Sequence, residues 1–151
     1  MGYLLLSLLL VGGEWLIKSH IERSAAALPR ELAGGRIRLC RYHNRGLVLG
    51  ILQVKRWLPP LIATVVGAFF IGLTLPLLLG DTVLPLSKLG LALLYAGAVS
   101  NLLDRYIRGY VVDYFSLPRL PWRKIARLVF NLADFWIFIG IVLFSIGMPF
   151  I

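Results

Sequence analysis

Four stretches of this chain, residues 1–17, 60–80, 84–103 and 128–151, run for about 20 residues each with hardly an ionisable side chain. That is the length a helix needs to cross roughly 30 Å of hydrocarbon at about 1.5 Å per residue. With 151 residues, 59% of them hydrophobic and only 15% charged, the chain carries more apolar surface than one soluble core of its size conceals. We therefore expect a mainly α membrane protein, a four-transmembrane-helix bundle forming a single integral-membrane domain over 1–151. Cys40 is the one cysteine, which excludes an intrachain disulfide framework and a multi-cysteine zinc cluster.

Pro59 and Pro60 open the second stretch and Gly80-Asp81 closes it. Pro76 lies inside it, where a membrane helix tolerates proline if neighbours satisfy the freed carbonyl. The first stretch contains Glu14 and ends at Lys18. It has no basic segment ahead of its apolar run, and Ala25 and Ala27 lie far beyond that run, so it is not read as a cleaved leader. Two long connections, residues 18–59 and 104–127, are separated by two spans and so leave the same face of the membrane. In the first, Arg36-Ile37-Arg38-Leu39 alternates polar and apolar, residues 42–46 read as a turn, and residues 47–54 are apolar with β-branched members. That pattern predicts a small β-sheet or hairpin against the membrane surface. In the second, Pro118, Pro121 and Trp122 beside Arg123 and Lys124 predict an interfacial loop segment. The net charge of +9 flanks the spans, which fits anionic lipid headgroups as partners and not nucleic acid.

Of seven acids, Glu14, Asp104, Asp113 and Asp134 lie in or just beyond apolar stretches. A charge at the bilayer centre costs about 2.5–3.5 kcal/mol on insertion scales, so such residues face a partner or a wet site. Asn131 and Asp134 lie three residues apart, on one helical face, as do Asn101 and Asp104. Arg105 and Arg108 are placed to neutralise Asp104. Asparagine and aspartate in spans also act as interhelical glue worth about 0.6 kcal/mol on average. Three acids and two asparagines near two span ends on one side exceed that role. Asp113, behind Val111-Val112, and Asp134 have no obvious partner in sequence. Two carboxylates brought together in a partly dry site share one proton, so one activates water while the other donates. Cys40 and His43 stand too close on one segment to form a nucleophile and its base, and read as surface residues. Trp15, Trp57, Trp122 and Trp136 read as interface or packing residues.

At these residues the sequence resembles lipoprotein signal peptidase, the signal peptidase II family. The likeness covers most of the chain. It is carried by Asn101-Leu102-Leu103-Asp104-Arg105, Gly109-Tyr110-Val111-Val112-Asp113-Tyr114 and Phe130-Asn131-Leu132-Ala133-Asp134, in the family's order. The resemblance implies an intramembrane aspartyl endopeptidase that removes signal peptides from diacylglyceryl-modified prolipoproteins, cutting before the lipidated cysteine. It implies the bacterial cytoplasmic membrane, an active site at the extracytoplasmic face and inhibition by globomycin. Carried over, the catalytic pair falls on Asp113 and Asp134. Asn101, Asp104, Arg105 and Asn131 fall on supporting polar positions, Asn44 on a substrate-holding position of the extracytoplasmic sheet, and Lys18 on the first-span motif. Glu14 stands where the family has aspartate, one methylene longer. Leu47, Val48 and Leu49 replace small and aromatic residues, and the segment between Asp113 and Asp134 is slightly long. The implied partners are lipid-modified prolipoproteins and membrane lipids, with no metal or cofactor, and we expect a monomer.

Two arguments oppose each other on orientation. Residues 18–59 hold nine Lys and Arg and residues 104–127 hold six, against Lys88 alone on the other face. The positive-inside rule by itself puts the basic face in the cytoplasm. The resemblance puts it outside, with both termini cytoplasmic, and we expect that orientation, the arginines meeting headgroups of the outer leaflet. Two other functions fit part of the pattern. One is a non-catalytic relative that binds lipoprotein precursors or lipids and uses the acids structurally. The other is a small transporter subunit relaying protons through Glu14, Asp104 and Asp134, although the chain lacks the repeat symmetry and broken helices of transporters.

Overall fold

The apolar stretches become long helices: α1, Gly2–Arg23; α2, Leu58–Leu79; α3, Pro85–Arg108; and, after the short α4, Arg123–Ala126, a last helix α5, Leu132–Gly147. The computed structural model describes residues 1–45, 58–80 and 84–147. The expected strand over residues 47–54, Trp57 and the last four residues of the expected fourth span lie outside the described residues. Among the described residues, α1 and α3 are long and apolar enough to cross a membrane, and Thr64–Leu79 and Leu132–Gly147 form shorter apolar helices.

Polarity in these helices is turned inside out. α1 buries Ser7, Glu14 and Lys18 along one stripe while Leu5, Leu8, Leu9 and Leu16 are exposed. Val65, Val66, Phe69 and Leu73 of α2 and Phe138 of α5 also face outward. A polar stripe inside an apolar coat is stable where lipid, not water, surrounds the helices. α3 and α5 approach each other through glycines. A Cβ on Gly97 would stand 2.5 Å from the Ala133 carbonyl oxygen, and one on Gly140 would stand 2.7 Å from that of Gly90. Small residues of this kind let backbones pack closely where hydrophobic burial cannot drive association.

Two helices run past the ends that hydropathy marks. α1 continues from Ile17 to Arg23 and α3 from Leu103 to Arg108, because Lys, Glu and Arg end an apolar run without ending a helix. Gly109 does end α3: it adopts φ 78°, and its N–H bonds to the Arg105 carbonyl, the left-handed stop that glycine adopts most readily. The chain then turns directly into a strand. β1, Arg30–Leu32, β2, Ile37–Asn44, β3, Val111–Ser116, and β4, Val129–Phe130, form one antiparallel sheet in that order. The sheet therefore joins both long connections, whereas hydropathy reads strands only in the first. Val112 and Tyr114 pack against Ile21 of α1, which fixes the sheet on the ends of α1 and α3.

Candidate active site

β3 delivers Asp113. Tyr42 lies opposite Asp113 in the β2–β3 ladder and Asn44 opposite Val111. Asn44 is thus a diagonal neighbour of Asp113 on the same face, and its Nδ2 donates to Asp113 Oδ2 at 3.1 Å. α5 delivers Asp134 by a different device. Asn131 is the helix cap: its Oδ1 accepts from the Asp134 N–H at 3.1 Å, and its own N–H donates to Asp134 Oδ2 at 3.0 Å. This reciprocal capping box satisfies two orphan donors. It explains why α5 starts at Leu132 and not at Leu128, and why Asn131 caps the helix between β4 and α5 instead of sharing a helical face with Asp134.

The same asparagine ties the two acids together. Asn131 is fully buried, and its Nδ2 donates to Asp113 Oδ1 at 2.7 Å and to Asn101 Oδ1 at 3.3 Å. From α3, Asn101 Nδ2 donates to Asp134 Oδ1 at 3.2 Å. Among the described residues, each carboxylate therefore takes two N–H donors, and the shared Asn131 turns both toward one site. Asp113 is 3% exposed. Its carboxyl is pushed up to about 6, first by burial and next by Asp134, against the amides of Asn44 and Asn131 and the charge of Lys18. Proximity of two acids in a dry site raises one of them in this way.

Behind the pair lies a closed ionic network. Lys18 Nζ, fully buried, contacts Asp104 Oδ2 at 2.9 Å and Glu14 Oε1 at 3.8 Å. It also donates to Asn101 Oδ1 at 3.0 Å and Ser100 Oγ at 3.3 Å. Asp104 takes Arg108 as its second cation, not Arg105, and accepts the Val112 N–H at 3.1 Å. Arg108 in turn reaches Ser19 Oγ at 2.7 Å and lies 4.1 Å over the Trp15 ring. Two cations thus offset Glu14 and Asp104, which a buried network requires. Arg105 donates to the Asn101 carbonyl at 3.2 Å and lies in the field of Asp113, Asp134 and Asp104.

A groove of about 360 Å³ between α2, α3 and α5 leads to this site. Val66, Phe70, Leu94 and Ile137 line its apolar length, and Asn101 and Arg105 stand at its polar end. The candidate residues Asp113, Asp134, Asn101, Asn131, Asn44, Lys18, Asp104 and Glu14 all join one connected hydrogen-bond and ion-pair network. Sequence reasoning missed three participants, Ser100, Ser19 and Tyr114. His43, read as a surface residue, binds Glu22 at 2.7 Å and stacks on Tyr110 at 4.0 Å between centroids, so it fastens β2 to the end of α1. Among the described residues no three His, Cys, Asp or Glu side chains are placed to hold a metal ion.

The fold is that of a bacterial membrane enzyme solved by the in meso method at 1.9 Å resolution. The two superpose with a TM-score of 0.80 at 21% identity, over 96% of this chain and 90% of the other. The family follows from sequence. The profile of Signal peptidase (SPase) II matches residues 6–150, and the chain belongs to the signal peptidase II family. It is 30% identical to a lipoprotein signal peptidase of Clostridioides difficile, over 99% of this chain and 96% of that one. A lipoprotein signal peptidase of Lactiplantibacillus plantarum is 33% identical, over 97% and 93%. One of Caulobacter vibrioides is 37% identical, over 85% and 72%.

Proposed function

We propose that this chain is an intramembrane aspartyl endopeptidase that removes signal peptides from diacylglyceryl-modified prolipoproteins, cutting before the lipidated cysteine. Family membership supports the coarse statement, a bacterial protease that cleaves lipoprotein signal peptides. The aspartyl mechanism is supported above all by one observation: Asn131 holds both Asp113 and Asp134, so acids from a strand and a helix face a single site. Asp113, the raised carboxyl, carries the shared proton. Asp134 takes a proton from water, the hydroxide oxygen attacks the scissile carbonyl, and Asp113 protonates the carbonyl oxygen. Collapse of the tetrahedral diol breaks the C–N bond as the leaving amine takes a proton from the dyad. Asn101, Asn131 and Asn44 orient the carboxylates. Lys18, Asp104, Glu14 and Arg105 hold the ends of α1 and α3 around them.

The same reading makes residues 1–151 one domain with four spans. α1, α2 and α3 have 22, 22 and 24 residues, or roughly 33–36 Å at about 1.5 Å per residue. The signal helix of the substrate enters sideways along the apolar groove, while its diacylglyceryl group stays in the outer leaflet. The sheet and its arginines lie at the extracytoplasmic face among lipid headgroups. Both carboxylates come from one chain, so a monomer suffices. The test is cleavage of a purified diacylglyceryl prolipoprotein, with and without globomycin. Wild type cleaves and globomycin stops it, while Asp113→Asn and Asp134→Asn each fold, insert and lose more than about 10³-fold in kcat. Full turnover by either variant refutes the dyad. Binding without cleavage by the wild type establishes a non-catalytic relative.

A further inference from the structure

Tyr114 joins this network through Glu14, and neither the chemistry of the dyad nor the ion pairs behind it gives its hydroxyl a role. Tyr114, the residue after Asp113, is 5% exposed. Strand alternation sends its ring to the face opposite Asp113, where it packs beside Ile21 of α1. Its hydroxyl donates to Glu14 Oε2 at 3.0 Å and accepts the Leu132 N–H at 3.2 Å. Leu132 is the first residue of α5, so its N–H is one of the orphan donors of a helix start. One hydroxyl therefore joins α1, the strand that carries Asp113 and the helix end that carries Asp134. Phenylalanine fills the same volume but takes one donor from the buried Glu14 carboxylate, which keeps its backbone hydrogen bond at Ala133, and strands the Leu132 N–H. Burial and the neighbouring Glu14 carboxylate push the phenol well above its ordinary range, so the donor persists at working pH.

Glu14 is built to reach it. Lys18 lies 2.9 Å from Asp104 but 3.8 Å from Glu14 Oε1, so its closer acid is Asp104. The Glu14 carboxylate extends past Lys18 to the tyrosine. An aspartate at this position is shorter by roughly 1.5 Å, one carbon–carbon bond, and falls short of the hydroxyl. We propose that Tyr114 is a positioning residue that fixes the separation of Asp113 and Asp134, and that the glutamate at position 14 is matched in length to it. This rests on the reading of Asp113 and Asp134 as the catalytic pair. The hydroxyl touches neither substrate nor the reacting atoms. It acts by holding the two backbones from which the carboxylates project.

Steady-state cleavage of a diacylglyceryl prolipoprotein in lipid nanodiscs tests this with Tyr114→Phe, Glu14→Asp, Glu14→Gln, the double variant Glu14→Asp/Tyr114→Phe, and Asp113→Asn. Tyr114→Phe lowers kcat on the order of tenfold and leaves KM within about twofold, because geometry at the reacting bond is lost and substrate contacts are not. Glu14→Asp keeps the charge and loses the reach, whereas Glu14→Gln keeps the reach and loses the charge, so Glu14→Asp is the slower of the two. The double variant loses less than the product of the two single losses, since both changes break the Tyr114–Glu14 bond. Wild-type kcat in Tyr114→Phe, a loss that falls in KM, multiplicative losses in the double variant, or Glu14→Gln slower than Glu14→Asp each overturn the positioning role. If Tyr114→Phe does not fold, the order of the two Glu14 variants decides. Turnover by Asp113→Asn overturns the dyad and the purpose assigned to Tyr114 with it. An inactive Asp113→Asn beside a fully active Tyr114→Phe overturns the positioning role alone.

Discussion

Removing the Asp113 charge should affect stability in a way that depends on pH, and the sign separates a catalytic acid from a structural one. In the folded chain this carboxyl is raised from 3.8 to about 6, by burial first and Asp134 second. The folded state therefore holds the proton more tightly than the unfolded state. Stability falls as pH rises from 3.8 to about 6 and levels off above that. The shift corresponds to about 3 kcal/mol. Asparagine carries no charge and escapes that cost. It has a separate defect, one acceptor oxygen where the carboxylate has two, so an amide of Asn44 or Asn131 loses its acceptor at a cost of about 1–3 kcal/mol. That defect is the same at every pH. The stability difference between Asp113→Asn and wild type thus moves in the variant's favour by about 2–3 kcal/mol between pH 3.5 and pH 8. Thermal unfolding in detergent, followed by circular dichroism across that range, measures it. At about 2–4 °C per kcal/mol for a chain near this length, the gap in melting temperature closes or reverses by about 4–12 °C. A gap that stays constant would mean that folding does not change the proton affinity of Asp113, and one that widens with pH would mean that ionised Asp113 stabilises the fold. Either would refute the burial argument, and the second would favour a relative that uses its acids structurally.

Two further outcomes follow from the packing. Gly97→Val puts a branched side chain where a Cβ alone would be 2.5 Å from the Ala133 carbonyl, one residue before Asp134. The helices must part there, so the Asn101–Asp134 bond stretches and cleavage falls by about 10²-fold, while Gly72→Val, at a position with no atom within 4 Å of a Cβ, changes cleavage less than twofold; equal losses in the two variants would contradict the close-approach argument. Lys18→Met removes a buried ammonium from Asp104, Asn101 and Ser100 and costs about 3–5 kcal/mol in thermal unfolding, part of which returns in Lys18→Met/Asp104→Asn; no recovery in the double variant would show that Asp104 does not need the lysine.

How much of this site is visible in the sequence depends on the solvent the chain is written for. In a span surrounded by lipid, Glu14, Lys18, Asn101 and Asp104 stand out because every other nearby residue is apolar, and all four meet in one network. The same cost argument picks out Asp113 and Asp134. It is silent about partners supplied by loops, where polar residues are cheap. Residues 111–116 show no alternation because strand β3 is buried at five of its six positions, and a strand buried on both faces has no period to detect. The sheet was therefore legible only on its β2 side. Asn131 was legible as a neighbour of Asp134 but not as its cap, since an Asn-x-x-Asp spacing is the same on a helical face and at a helix start.

Tyr114 was hidden for a different reason. A tyrosine near a span end has a ready interfacial reading, and its acceptor lies 100 residues away in sequence. Nothing local predicts that contact. Yet it bears on one of the departures from the family pattern that the sequence exposes, glutamate in place of aspartate at position 14. Considered in isolation, the extra methylene displaces a charge from Lys18. Considered with Tyr114, it carries the carboxylate to a hydroxyl that also satisfies the first N–H of α5. An unsatisfied donor at that point would fray the turn that holds Asp134. The longer acid and the tyrosine thus form one structural unit spanning α1, β3 and α5, and a substitution that looks like drift in the linear chain acts on the distance between two carboxylates.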